Sequence, residues 1–156
     1  MSGRILALDH GSRRIGVAIG DPETGMAFAR AAITRRSLDH DLARIGELCT
    51  EEGVERVVIG LPLHADGSEG EQAASARAFG QRLAAATGLE VEYEDERLTS
   101  WAAGEGFAAE GRRPDRGSGE LDSAAARLIL QQYFDARRQP GDRARPAATL
   151  EETDAE

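Results

Sequence analysis

Three acidic residues stand where carboxylates can do chemistry. Asp9 ends the apolar run Ile5-Leu6-Ala7-Leu8, Glu96 follows the alternating segment Leu89 to Glu94, and Asp122 lies at the start of a periodic segment running to about Arg137. Strand ends in open α/β sheets collect ligands. Carboxylate oxygens there suit hard divalent cations, which keep some of their water for a phosphate substrate. Two such ions about 3.5–4 Å apart can clamp the attacking and leaving oxygens of an in-line phosphodiester displacement. Each acid also has a simpler role open to it: Asp9 with Gly11 in a turn, Glu96 in an ion pair with Arg97, Asp122 at the positive end of its helix. The combination favours chemistry, because the three are remote in sequence while the elements carrying them can be brought together by one fold.

Those elements follow from hydrophobic periodicity. Ile5 to Leu8 is a short apolar run of the kind a doubly covered strand shows. Arg14 to Gly20 alternates Ile15, Val17 and Ile19 with Gly16, Ala18 and Gly20, a second strand with small residues on one face. Asp21 to Gly25 is turn chemistry, and Met26 to Ile33 is the third strand of an antiparallel meander. Ser37 caps a helix with apolar positions Leu38, Leu42, Ile45 and Cys49, stopped by Gly53. Val54 to Leu61 is a strand centred on Val57-Val58-Ile59. Ser68 and Glu71 suggest a capping box for the next helix, whose stripe is Ala76, Phe79, Gly80 and Leu83 and whose stop is Gly88. Leu89, Val91 and Tyr93 alternate with glutamates, a strand with one wet face near a sheet edge. Leu98 to Glu110 is a weaker helix broken by Gly104 and Gly106, Gly111 to Gly119 a loop, and Leu121 to about Arg137 the last helix, with Leu121, Ala125, Leu128, Ile129 and Gln132 on its inner side. A meander followed by right-handed crossovers predicts a five-stranded mixed sheet with helices on both faces, which is the ribonuclease H-like α/β fold.

Composition bounds the partners. The chain has 156 residues, which suits one domain over 1–138, with Pro140, Pro146 and aperiodic charge making 139–156 a disordered acidic tail. No apolar run approaches the ~20 residues of a membrane span. The opening residues are too short an apolar stretch for a signal peptide, so a cytoplasmic location is expected. A single cysteine, Cys49, and three histidines leave no zinc spacing, so any metal would bind oxygen. The net charge of −9 opposes non-specific attraction to nucleic acid. All nineteen cations are arginine, however, whose fork fits phosphate. Arg13-Arg14, Arg35-Arg36 and Arg112-Arg113 with Arg116 form local clusters. The last of these precedes the helix of Asp122, where it could fold over a phosphate backbone or stay a solvated loop. Aromatics are 4%, so base stacking has a minor part.

Asp9-His10-Gly11 with Gly16-Val17-Ala18, Gly60-Leu61-Pro62-Leu63 with Asp66-Gly67-Ser68, Asp95-Glu96-Arg97-Leu98-Thr99-Ser100, and Leu121-Asp122-Ser123-Ala124-Ala125 resemble, in order, the YqgF (RuvX) family. Four blocks in the right order and spacing are a far stronger signal than one Asp-x-Gly. Members of that family are assigned as pre-16S ribosomal RNA nucleases and are similar in fold to Holliday-junction resolvases. The resemblance covers roughly residues 4 to 137. It implies that Asp9, Glu96 and Asp122 are the catalytic and metal-binding acids and that the cofactor is Mg²⁺ or Mn²⁺. Arg97 matches the family's arginine after the acid, suited to a phosphate or to a salt bridge with Asp95 or Glu94. Two positions depart from the pattern: Glu120 stands where lysine is common two before the last aspartate, and His64 where asparagine is common.

The expectation is therefore a cytoplasmic metal-dependent nuclease acting on structured RNA, at the 5′ end of pre-16S rRNA, as a monomer or homodimer. Arg97, Arg112, Arg113 and Arg116 are the candidate substrate contacts. Resolution of branched DNA and a non-catalytic RNA-binding module are the alternatives. Asp9-x-Gly11 is also similar to the first phosphate loop of the actin and hexokinase superfamily, but those enzymes close two related domains on ATP and this length supplies one.

Overall fold

A computed structural model of the chain describes residues 3–97 and 119–137. The expected helix from Leu98 to Glu110, the arginines at 112, 113 and 116, and the segment 139–156 lie outside the described residues. In chain order the elements are β1 (Arg4–His10), β2 (Arg14–Asp21), β3 (Met26–Thr34), α1 (Leu38–Glu52), β4 (Val54–Leu61), α2 (Glu71–Thr87), β5 (Glu90–Asp95) and α3 (Glu120–Ala136). The sheet order is β3-β2-β1-β4-β5. The first three strands are antiparallel neighbours, while β4 pairs parallel with both β1 and β5. The ribonuclease H-like arrangement expected from the sequence is the one observed.

The period of two along the strands sorts side chains between two cores. Leu6, Leu8, Ile15, Val17, Ile19, Val57 and Ile59 face α1 and α2, with Ile45, Phe79 and Leu83 packed against them. Ile5, Ala7, Ala18 and Val58 face α3, meeting Ala126, Ile129, Leu130, Tyr133 and Phe134. The helix ends follow local chemistry. Ser37 Oγ accepts the His40 N–H at 3.0 Å, and Gly53 and Gly88 end α1 and α2 at φ 68° and 74°, a conformation that favours glycine. The expected Ser68 cap is absent: Asp66 Oδ1 accepts both the Ser68 N–H (2.9 Å) and its hydroxyl (2.6 Å), so Ser68 is held in a turn and α2 starts after Gly70 without a side-chain cap. No helix among the described residues is long and apolar enough to cross a membrane.

The small residues of β2 set the seat of α3. A Cβ on Gly16 would overlap the Asp122 carbonyl, and one on Gly20 would overlap the Phe134 ring. At the register slip between β2 and β3, the Val17 N–H donates to Ser123 Oγ at 3.2 Å, which ties the first turn of α3 to the sheet. Gly16→Ala should therefore lower unfolding free energy by about 1–3 kcal/mol, as overpacking does, by pushing the first turn of α3 off the sheet. Urea unfolding measures this; a variant as stable as wild type would show that the close approach is not required.

Candidate active site

Register alone brings two of the three acids to one end of the sheet. Asp9 is opposite Gly16 in the β1–β2 ladder, and the backbone of Asp122 lies directly over Gly16. Odd-numbered side chains of β1 face α3, so Asp9 points to the side from which Asp122 arrives. Glu96 starts farther away, because β4 lies between β5 and β1. Its N–H donates to the Leu61 carbonyl at 3.2 Å, which extends the β4–β5 pairing by one residue. From there the side chain crosses β4 above Gly60, where a Cβ would collide with Glu96 Oε1 and with Ile129. Glycine at position 60 is what makes the distance passable.

The crossing ends in a side-chain hydrogen bond between Glu96 and Asp9. Both carboxyl groups have raised pKa values. For Asp9 burial is the main cause, with the nearby Asp122 charge adding to it; for Glu96 burial leads, followed by the charge of Asp9. Two like charges this close cannot both ionise cheaply, so the pair titrates as a unit that retains one proton above the ordinary carboxylate range. Asp122 is turned differently: Arg14 Nε lies 3.3 Å from its Oδ2, and the Arg14 side chain packs beneath Gly119.

Among the described residues, no three acidic, histidine or cysteine side chains are arranged as they stand to hold a metal ion. Asp9 and Glu96 face each other, while Asp122 is drawn to Arg14. The donor set itself fits a hard divalent ion: it is carboxylate oxygen throughout, and Glu96 Oε1 is a buried atom.

The remaining candidates divide. Arg97 is held by Asp95, with Nη2 at 2.7 Å and Nε at 2.9 Å from Oδ2, and donates to the Ala65 carbonyl at 3.2 Å. It borders a cleft of about 450 Å³ lined by Leu63, Ala65, Asp95 and Gln132. Arg112, Arg113 and Arg116 lie outside the described residues. His64 is exposed, as a surface histidine should be. The glutamates of β5 have more to do than face solvent: Glu92 pairs with Arg56 and Arg137, and Glu94 accepts from Gln132. Sequence reasoning missed Arg14 as the partner of Asp122 and Gly60 as the passage for Glu96. The second had a signal, a glycine closing an otherwise bulky buried strand. On the opposite side of β1, His10 stacks on Phe79 at 4.5 Å, and burial together with Arg35 lowers its pKa to about 4, so it is neutral at neutral pH.

A family model described as RuvX, Holliday junction resolvase, matches residues 3–136. A protein of Synechococcus elongatus provisionally named a pre-16S rRNA nuclease is 47% identical over 135 residues, 86% of this chain and 91% of the relative. One of Chloroflexus aggregans with the same name is 46% identical over 136 residues, covering 87% and 96%. Among solved structures, T. thermophilus RuvC in complex with a Holliday junction substrate superposes with a TM-score of 0.56 at 16% identity, covering 86% of this chain and 95% of that one. That likeness concerns the fold.

The retained proton has a thermodynamic consequence. A carboxyl whose folded pKa lies above its unfolded value stabilises the fold fully at pH below the unfolded value and loses that contribution as pH rises toward the folded one. In chelator, the melting temperature of wild type should therefore fall between about pH 5 and pH 8, and Glu96→Gln should flatten that slope. Calorimetry of both proteins across this range decides it; equal slopes would mean that the pair holds no extra proton.

Proposed function

The chain belongs to the RuvX family, and on that premise we propose that it is a metal-dependent nuclease of the cytoplasm that hydrolyses phosphodiester bonds at the 5′ end of pre-16S rRNA. The observation that carries the reading is the half-buried Asp9–Glu96 carboxyl pair with Asp122 in the first turn of α3, over Gly16 of the neighbouring strand, at the end of a ribonuclease H-like sheet. Asp9 and Glu96 would hold Mg²⁺ or Mn²⁺, and Asp122 would join them by turning from Arg14. When bound, the ion supplies Lewis acidity toward a phosphoryl oxygen. The chain's own part is positional. Gly60 leaves the space through which Glu96 reaches Asp9, and Gly16 lets the first turn of α3 bring the Asp122 backbone down onto β2. Water is the nucleophile, and the bond broken is the phosphorus–oxygen ester bond of the RNA backbone. The names of the relatives support the ribosomal substrate.

Branched DNA is the second reading, favoured by the description of the family model. Symmetric resolution of a junction needs two paired active sites, so it calls for a dimer that cuts opposing strands together.

Asp9→Asn and Asp122→Asn should each reduce cleavage of labelled pre-16S rRNA by about 100-fold or more, the scale on which disturbing a metal site acts. Excess chelator should abolish wild-type cleavage, and Mg²⁺ or Mn²⁺ should restore it. Undiminished cutting in chelator would overturn the metal chemistry, and undiminished cutting by the variants would overturn the site. A four-way junction cut symmetrically in preference to RNA would decide for the second reading. Intact cellular function of both variants would make the protein a binding module.

A further inference from the structure

Two arginine pairs, remote in sequence, meet at the rim of the site. Arg13-Arg14 opens β2 and Arg35-Arg36 follows β3, and the ladder places Arg14 opposite Thr34. The Arg35 N–H donates to the Arg13 carbonyl at 2.9 Å, and Arg35 Nη1 donates to the Gly11 carbonyl at 2.8 Å, two residues beyond Asp9. The four arginines then divide into two roles. Arg14 faces Asp122, and Arg35 lies 3.7 Å from Asp41, an acid that is 1% exposed. Arg13 and Arg36 are exposed, and neither side chain makes an ion pair among the described residues. Their backbones are nevertheless pinned: the Arg13 carbonyl by Arg35, and the Arg36 N–H by Asp41 Oδ1 at 3.1 Å.

We infer that Arg13 and Arg36 form a docking surface for the phosphodiester backbone of RNA beside the bond that is cut. This deepens the nuclease reading and rests on it. Residues 10–20 and 34–38 contain four arginines and no acid, in a chain whose net charge is −9. Asp39 is the one exposed acid close by in sequence, and Asp41 is occupied by Arg35 and His40. Guanidinium groups fit phosphate oxygens in a fork, and anchored backbones reduce the ordering cost of binding. The surface stands at the same sheet end as Asp9. It is distinct from Arg97, which Asp95 already engages.

The test is fluorescence anisotropy of a labelled structured RNA in chelator, with salt varied from about 50 to 200 mM. Compared proteins are wild type, the double variant Arg13→Gln with Arg36→Gln, and Arg82→Gln, an exposed arginine of α2. Each lost phosphate contact lowers the slope of log affinity against log salt by about 0.7–0.9. The double variant should lose about 1.4–1.8 from that slope and bind several-fold more weakly, with an unchanged melting curve; Arg82→Gln should match wild type. An unchanged slope in the double variant, an equal loss in Arg82→Gln, or a wild type that does not bind RNA at all would overturn the inference. If the variant loses its slope while wild type fails to cut RNA with Mg²⁺, the surface stands and the nuclease reading falls. If wild type cuts and the slope does not move, the reverse holds.

Discussion

The hydrogen bond between Asp9 and Glu96 holds together two groups that would repel each other if both were ionised. Around it the chain is arranged so that neither acid can retreat. Asp9 sits in a β1 strand flanked by β2 and β4, and Glu96 is tied through its own N–H to Leu61. A pair in that state needs positive charge, and a single proton is the smallest supply available. Arg14 does for Asp122 what the proton does for the other two. The acids are thus neutralised separately, in two places, rather than by one common partner.

Missing side chains make this possible. Gly60 lets Glu96 cross a strand, Gly16 lets the first turn of α3 descend onto β2, and Gly20 admits Phe134 at the far end of the same helix. None of these glycines needs a left-handed backbone; each is required for space. The register slip between β2 and β3 adds the Val17 N–H as an anchor for Ser123, so a local irregularity in the sheet becomes a fixed point for the residue beside Asp122.

Much of this could be read from residue order. Alternation marked β2 with a face of small residues, apolar runs marked β1 and β4, and the Ser37 and Gly53 ends of α1 followed from local hydrogen bonding and chirality, which act over a few residues. Long-range pairing was harder. The gap of two strand spacings between Glu96 and Asp9 is visible from topology, but that Gly60 closes it depends on a through-space path. Arg14 and Asp122 are far apart in sequence, so no local pattern links them. Ser68 shows a different limit: a serine three residues before a glutamate suits a cap, yet Asp66, two residues upstream, accepts its hydrogen bonds. Two local motifs competed, and the tighter turn prevailed.

Helix α3 has one more consequence. The same helix seals the Ala7–Val58 core with Ile129, Leu130 and Tyr133 and carries Asp122 in its first turn. Lifting it would bare that apolar face and remove the third acid in a single motion. Any partial opening that wets this half of the interior would also carry Asp122 away from Gly16, so the packing of this core and the placement of that acid depend on the same contacts.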